Sequence, residues 1–186
     1  MPWDQSYPAP FPESFGHTRR CIGPQISQVT LQTTEGTAYW TFLGVLPETS
    51  VWNYVRGHVT TAGAGTQVAE VAIATTPSVP CRSNQTVTCL WASGNVSDLK
   101  SSTVTFANNV AAAVTVPAGV PIWAGIRTAH TGGAEPTLRG MALDLGQGEL
   151  LQTAASGVLT AGQTYAGVIT ASVATGQGIW LKLTVD

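Results

Sequence analysis

Apolar and polar residues alternate along most of the chain, in short segments separated by turn residues. Between residues 52 and 61, small or apolar residues alternate with polar ones: Val55, Gly57 and Val59 against Arg56, His58 and Thr60. The last segment repeats this period, with Ile179, Leu181, Leu183 and Val185 against Trp180, Lys182 and Thr184. A period of two is typical of β-strands that bury one face. The pattern therefore predicts strands in both segments.

About ten such segments follow one another at a spacing of roughly 8–15 residues, which favours an all-β sandwich or barrel without a convincing helix. The predicted strands are 26–31, 38–45, 52–61, 67–75, 87–94, 103–107, 110–116, 122–128, 137–145, 165–170 and 178–185. Segment 67–75 is apolar except for Glu70, which predicts a strand buried on both faces. Residues 61–65 predict a hairpin-like turn. Segment 148–155 fits a short helix or a strand, and segment 97–102 fits one helical turn.

The composition agrees with an all-β chain and excludes several classes of protein. The 186 residues include 20 Gly and 11 Pro, and only 10% of them are charged, against a usual share of about 25%. A helical bundle is excluded because the residues that favour helices are replaced by Thr, Val and Gly. Eight Lys and Arg with a net charge of -2 make nucleic-acid binding unfavourable. No apolar run is long enough to span a membrane.

The first residues differ from the rest of the chain. Prolines recur in this segment, and four aromatic residues follow one another at a spacing of four: Trp3, Tyr7, Phe11 and Phe15. The prolines prevent a continuous helix, so we expect an extended docking arm whose aromatic side chains bury against a neighbouring subunit. The alternatives are an arm that folds back on its own domain and an arm that is mobile. We place the arm at residues 1–36 and the domain at residues 37–186. The segment lacks the pattern of a signal peptide, so we expect folding in a cytosol.

The three cysteines give no clear framework of disulfides. Cys81 and Cys89 face each other across a predicted hairpin, and Cys21 lies far from both in the sequence. In a reducing cytosol free thiols are expected, while a bond between Cys81 and Cys89 stays open as the alternative.

No motif for catalysis, metal binding or cofactor binding is present. The histidines His17, His58 and His130 have no zinc-binding spacing, and no nucleophile elbow occurs. The glycines of the two Gly-Gln-Gly segments are expected in tight turns rather than around a phosphate. We therefore predict no catalytic residue, no metal and no cofactor.

The six tryptophans admit two interpretations. Four of them lie inside predicted strands and are expected in the core: Trp40, Trp91, Trp123 and Trp180. Trp52 and Tyr54, with His58 on the polar face of the same strand, are candidates for contact with a ligand or with another subunit. Packing in the core or at its rim is the alternative for Trp52 and Tyr54, and an ordinary surface position is the alternative for His58.

Three segments resemble jelly-roll virion surface proteins of tailed bacteriophages, of the decoration (cement), head-fibre or tail-fibre type. They are VRGHVTTAGAGTQVAEVAIATTP, VPAGVPIWAGIRTA and LRGMALDLGQG, and the likeness extends over roughly residues 37–186. The resemblance implies a jelly-roll-like antiparallel β-sandwich that is non-enzymatic, assembles in the host cytoplasm and becomes part of the virion. It also implies a homo-oligomer, often a trimer, with an N-terminal segment that docks on the particle.

Two functional hypotheses follow from these observations. In the first, the protein decorates or cements a capsid, and its arm holds the major capsid protein or another virion protein. In the second, it is a tail-fibre or receptor-binding module in which Trp52 and Tyr54 stack on a host glycan. An enzyme is disfavoured because no pair of acid and base groups stands out.

Overall fold

All the regular secondary structure in the described part of the chain is β-strand. The computed structural model describes residues 21–22, 30–32, 36–78, 84–96, 104–130, 136–142, 150–154, 157–169, 177–179 and 181–185. The four aromatic residues of the predicted arm lie outside these residues. The all-β prediction is confirmed, and two packed antiparallel sheets form a β-sandwich.

Thirteen strands are present in the described residues. They are β1 Cys21–Ile22, β2 Thr30–Gln32, β3 Thr37–Val45, β4 Ser50–Thr61, β5 Thr66–Thr75, β6 Asn84–Ala92, β7 Val104–Val116, β8 Pro121–His130, β9 Thr137–Ala142, β10 Leu150–Ala154, β11 Thr164–Ile169, β12 Gln177–Ile179 and β13 Leu181–Thr184.

The strands divide into one open and one closed sheet. In the open sheet β13 and β7 pair with β4 from opposite sides, β1 pairs with β13, and β9 joins β4 to β12 and β2. The closed sheet has six strands in the order β10-β11-β6-β5-β8-β3, and it closes because β10 also pairs with β3. Every pairing between these strands is antiparallel.

Closure of the second sheet creates two separate cores. The inter-sheet core lies between the two sheets and includes Val55 and Val59 from β4 and Val71 and Ile126 from the closed sheet. The interior cluster lies inside the closed sheet and comprises Ala38, Trp40, Ala72, Ala74, Val87, Cys89, Trp123, Leu159 and Tyr165. Successive residues of β5 and β8 therefore point into different cores, which is why both faces of these strands are buried.

Each fully buried tryptophan has a hydrogen-bond partner for its indole N–H. Trp40 donates to Thr153 Oγ1 at 3.0 Å and Trp123 donates to Thr76 Oγ1 at 3.1 Å. These two rings fill the interior of the closed sheet, where an unpaired N–H would cost free energy. The core prediction is confirmed for Trp40 and Trp123, whereas Trp91 is half-buried against the inter-sheet core. Trp180 lies outside the described residues.

Gly125 allows the Trp40 ring to enter the interior. Gly125 on β8 lies directly opposite Trp40 on β3, and a Cβ at this glycine would overlap the six-membered ring of the indole. The absence of a side chain on one strand therefore makes room for the largest side chain on the next.

The alternation predicted for the two amphipathic segments is confirmed in large part. On β4, Val55, Gly57 and Val59 are buried, while Arg56, His58 and Thr60 are half-buried. At the end of the chain Ile179, Leu181 and Leu183 are buried, as expected. Thr184 was expected on the polar face, and it is also buried because Arg56 reaches over it and donates from Nε to its hydroxyl.

Several details of the predicted organisation are wrong. Residues 61–65 do form a turn, but it carries the chain from the open sheet to the closed sheet, so β4 and β5 are not a hairpin. The strands predicted at 103–107 and 110–116 are one strand, β7. Segment 148–155, for which a short helix and a strand were both left open, contains a strand, β10.

Two short strands lie in the segment assigned to the arm. β1 pairs with β13, and β2 pairs with β9, so residues 21–22 and 30–32 already belong to the open sheet. The sheet therefore includes residues that precede Thr37. The segment predicted as one helical turn, 97–102, lies outside the described residues.

Candidate functional site

The polar face of β4 carries two of the three predicted contact residues. Tyr54 and His58 are both half-buried there, on the same face as Arg56. Lys182 on β13 lies directly opposite Arg56 in the register. We call the group Tyr54, Arg56, His58 and Lys182 the β4 patch.

Trp52 lies on the other face of β4. It is 1% exposed, belongs to the inter-sheet core and donates from Nε1 to Ser50 Oγ at 3.0 Å. The register between β4 and β7 shifts between Trp52 and Tyr54, and the buried positions change there from even to odd numbers. Of the two interpretations of Trp52, packing in the core is the one observed, and no face of its ring is available to a sugar.

The ring of Tyr54 is partly covered as well. The guanidinium carbon of Arg56 lies 5.2 Å from the centre of the Tyr54 ring, at cation–π distance. Arg56 is held in place because its Nε donates to Thr184 Oγ1 at 2.9 Å. One face of the Tyr54 ring is thus occupied by a side chain of the same protein.

The charged side chains of the β4 patch are cationic. Arg56 and Lys182 are cationic donors, and the patch contains no carboxylate or thiol. Within the residues that the structure describes, the only acidic residues are Glu48 and Glu70. Glu48 is exposed at a turn, and Glu70 is buried on the closed sheet. The patch therefore places two cationic side chains on this face of the open sheet.

A buried ion pair lies inside the closed sheet. Glu70 on β5 and Arg127 on β8 are opposite each other in the register, and their Oε2 and Nη1 atoms are 3.0 Å apart. The backbone N–H of Leu159 also donates to Glu70 Oε2, at 3.2 Å. Glu70 Oε1 is buried and has no hydrogen-bond partner in the described part of the protein. Both side chains are more than nine-tenths buried, which indicates a structural pair.

Sequence reasoning missed this pair although a signal was present. Glu70 is the only charged residue in the apolar segment 67–75, and Arg127 is the only one in β8. A charge on a strand with two buried faces needs a buried partner of opposite sign. Pairing the two segments on that ground would also have predicted that β5 and β8 are neighbours.

Cys89 lies in the same interior as the ion pair and is a free thiol. Its Sγ donates to the carbonyl oxygen of Trp91 at 3.3 Å. Burial raises the pKa of the Cys89 thiol to about 11, and the negative charge of Glu70 adds to this effect. At neutral pH the sulfur is protonated, so it is a poor nucleophile.

We expect native Cys89 to resist alkylation. At pH 8 its reaction with iodoacetamide should be about a hundredfold slower than in urea, because only the thiolate reacts and its pKa is raised in the folded protein. The rate in the folded protein should rise about tenfold per pH unit between pH 8 and 10, since thiolate forms as the pH approaches the raised pKa. Mass spectrometry of the peptide that contains Cys89 measures this rate. Equal rates in native and denatured protein would contradict the buried position.

A shallow depression of about 490 Å³ lies at one end of the closed sheet. Threonines line much of it, together with Pro77, Gly119, Val120 and Pro121. The threonines are Thr75, Thr76, Thr86 and Thr88. Among the described residues, this lining contains no charged or aromatic side chain.

No metal-binding cluster is assembled in the residues described by the structure. No group of three His, Cys, Asp or Glu side chains there is arranged to hold a metal ion. In the same residues, no helix is long and apolar enough to cross a membrane. The predicted arm residues Trp3, Tyr7, Phe11 and Phe15 lie outside the described residues, and His130 is described only in its backbone.

No protein-family model matches the chain, and no curated protein matches its sequence. The function is therefore argued from the geometry and from the resemblance of the three sequence segments.

Proposed function

We propose that the protein is a non-enzymatic structural component of a phage virion, of the capsid decoration or cement type. It self-associates, with a trimer favoured, and the N-terminal arm attaches it to a neighbouring virion subunit. The location on a virion is supported by the resemblance of the three sequence segments.

The observation that carries the structural role is the outer edge of β7. This strand has 13 residues, and its other edge pairs with β4. No strand covers the outer edge within the described part of the chain, and residues 101–126 contain no charged residue. Proteins usually protect a long edge strand with charges, prolines or a covering segment. An uncharged edge of this length is suited to pairing with another chain in an assembly.

Two of the three segments that carry the resemblance lie on neighbouring strands of the fold. Segment 55–77 contains all of β5, and segment 116–129 contains most of β8. These two strands are paired along their length at the centre of the sandwich. The resemblance therefore covers neighbouring strands of the core and not a set of catalytic loops.

The glycan-binding alternative receives less support from the geometry. Trp52 is buried, and one face of the Tyr54 ring is covered by Arg56. Stacking on a sugar needs an open ring face. The two aromatic residues that suggested a glycan site therefore favour structural roles.

Removal of residues 1–20 should abolish attachment to particles without unfolding the domain. This deletion retains β1, which pairs with β13. We expect the full chain to co-sediment with density-purified phage particles and the shortened chain to remain in solution with an unchanged circular dichroism spectrum. A full-length Ser14→Ala variant is the control and should bind as the natural chain does. Absence of the protein from purified particles by mass spectrometry would contradict the virion role.

A further inference from the structure

In residues 1–20, prolines stand only at even positions and aromatic residues only at odd positions, which would suit a strand that adds to the edge of a sheet. All four prolines in this segment stand at even positions, Pro2, Pro8, Pro10 and Pro12, and all four aromatic residues stand at odd positions. In an extended strand, successive backbone N–H groups point to opposite edges and successive side chains to opposite faces. Every N–H removed by a proline would therefore lie along one edge, and every aromatic ring on one face.

Such a strand is competent to pair along one edge only. The N–H groups of Tyr7, Ala9 and Phe11 would all point to the edge opposite the prolines, so hydrogen bonds could form there. Each of these residues precedes a proline, which biases its backbone toward the extended region. The other edge would lack donors and would stop a further strand from adding.

β7 provides an edge that such a strand fits. Its stretch Val104–Asn109 pairs with β4 without a register shift, from Val59 back to Tyr54. The backbone groups on the outer edge of this stretch are therefore regularly spaced. The stretch has six residues without charge, and residues 5–12 of the arm are uncharged as well. The strand and the edge are complementary in hydrogen bonding and in polarity.

The point where the chain enters the sheet favours a second copy as the owner of the β7 edge that is filled. The described chain begins at β1, and the strand order β1-β13-β4-β7 puts this point at the opposite edge of the open sheet from β7. The arm thus departs three strand spacings, about 14 Å, from its own β7 edge. A donor segment at one edge and an acceptor strand at the other is a head-to-tail arrangement, which closes into a ring when the rotation between copies returns to the first copy and otherwise forms an open filament.

We propose that residues 1–20 of one copy add as an edge strand to the outer edge of β7 in a second copy. This inference rests on the docking role proposed above for the arm, and it names a second copy of this chain as the partner. Each arm fills one edge and presents its proline edge outward, so the assembly ends when every β7 is covered.

Proline substitutions at two adjacent positions of the full chain test whether the arm pairs through the N–H groups of its odd-numbered residues. Gln5→Pro removes an N–H on the pairing edge, and Ser6→Pro removes one on the edge that already carries the prolines. We expect Gln5→Pro to weaken self-association about tenfold or more in sedimentation equilibrium, and Ser6→Pro to leave it nearly unchanged. Equal effects of the two variants, or a natural chain that stays monomeric at all concentrations, would overturn the proposal.

A cross-link identifies the strand and the copy. A photoreactive benzoylphenylalanine at Phe11 is introduced into isotopically light chains, which are mixed with unmodified heavy chains. We expect light-to-heavy cross-links within residues 104–116. Cross-links only within one chain, or only to other strands, would overturn the proposal. Neither measurement involves phage particles, so this inference and the virion role can fail separately.

Discussion

Replacement of Arg127 by Met should lower the free energy of unfolding by about 3 to 5 kcal/mol, because it leaves a buried carboxylate without its counter-charge. Glu70 accepts from Arg127 and from the Leu159 backbone through one oxygen, while its other oxygen already lacks a partner in the described residues. Loss of the guanidinium leaves only the single N–H of Leu159. Urea denaturation followed by tryptophan fluorescence measures the change.

Two variants make this measurement specific for the ion pair. The double variant Glu70→Gln/Arg127→Met removes the uncompensated charge and should recover most of the lost stability. Arg56→Met is the matched surface control and should cost about 1 kcal/mol, because Arg56 is half-buried and loses one hydrogen bond and one cation–π contact. If Arg127→Met and Arg56→Met cost the same, the buried pair would not be the source of the stability.

Gly125→Ala should destabilise the protein by about 3 kcal/mol, since the added methyl overlaps the Trp40 indole. The ring has little room to move, because the interior cluster surrounds it and its Nε1 is bonded to Thr153. Thermal or urea unfolding measures the loss, and a change in near-ultraviolet circular dichroism should report the displaced ring.

Gly157→Ala is the matched glycine control. A methyl at Gly157 meets no atom within 4 Å, so we expect a change within about 0.5 kcal/mol. The double variant Gly125→Ala/Trp40→Phe should recover part of the stability, because the smaller ring leaves space for the methyl. A tolerated Gly125→Ala would mean that the ring and the glycine are not in close contact.

The positions of most strands were predictable because the period of two is a local property of the sequence. β4 and β13 show it clearly, and nearly continuous burial of β5 was also expected from its apolar residues. What the local pattern does not contain is the choice of partner strand. The turn at 61–65 has hairpin-like residues, yet β4 and β5 join different sheets, because the assignment depends on contacts with β7 and β8 that are distant in sequence.

The candidate site was predictable only in part for a related reason. His58 was expected on the polar face of its strand, and it lies there together with Tyr54. Trp52 has the same parity as both residues, but the register shift after Trp52 puts it on the other face. Glu70 and Arg127 are 57 residues apart in the sequence. They form an ion pair only because β5 pairs with β8.

The position of Glu70 opposite Arg127 has a consequence for how the chain finds its fold. If β5 slipped by one residue along β8 during folding, each side chain would move to the other face of its strand. The Glu70 carboxylate would then lie in the apolar space between the two sheets. Its burial there would raise the free energy of the mispaired chain before the second sheet closes. The two charges therefore favour one alignment of the central strands, which adds a role in the accuracy of folding to the loss of stability expected when one charge is removed.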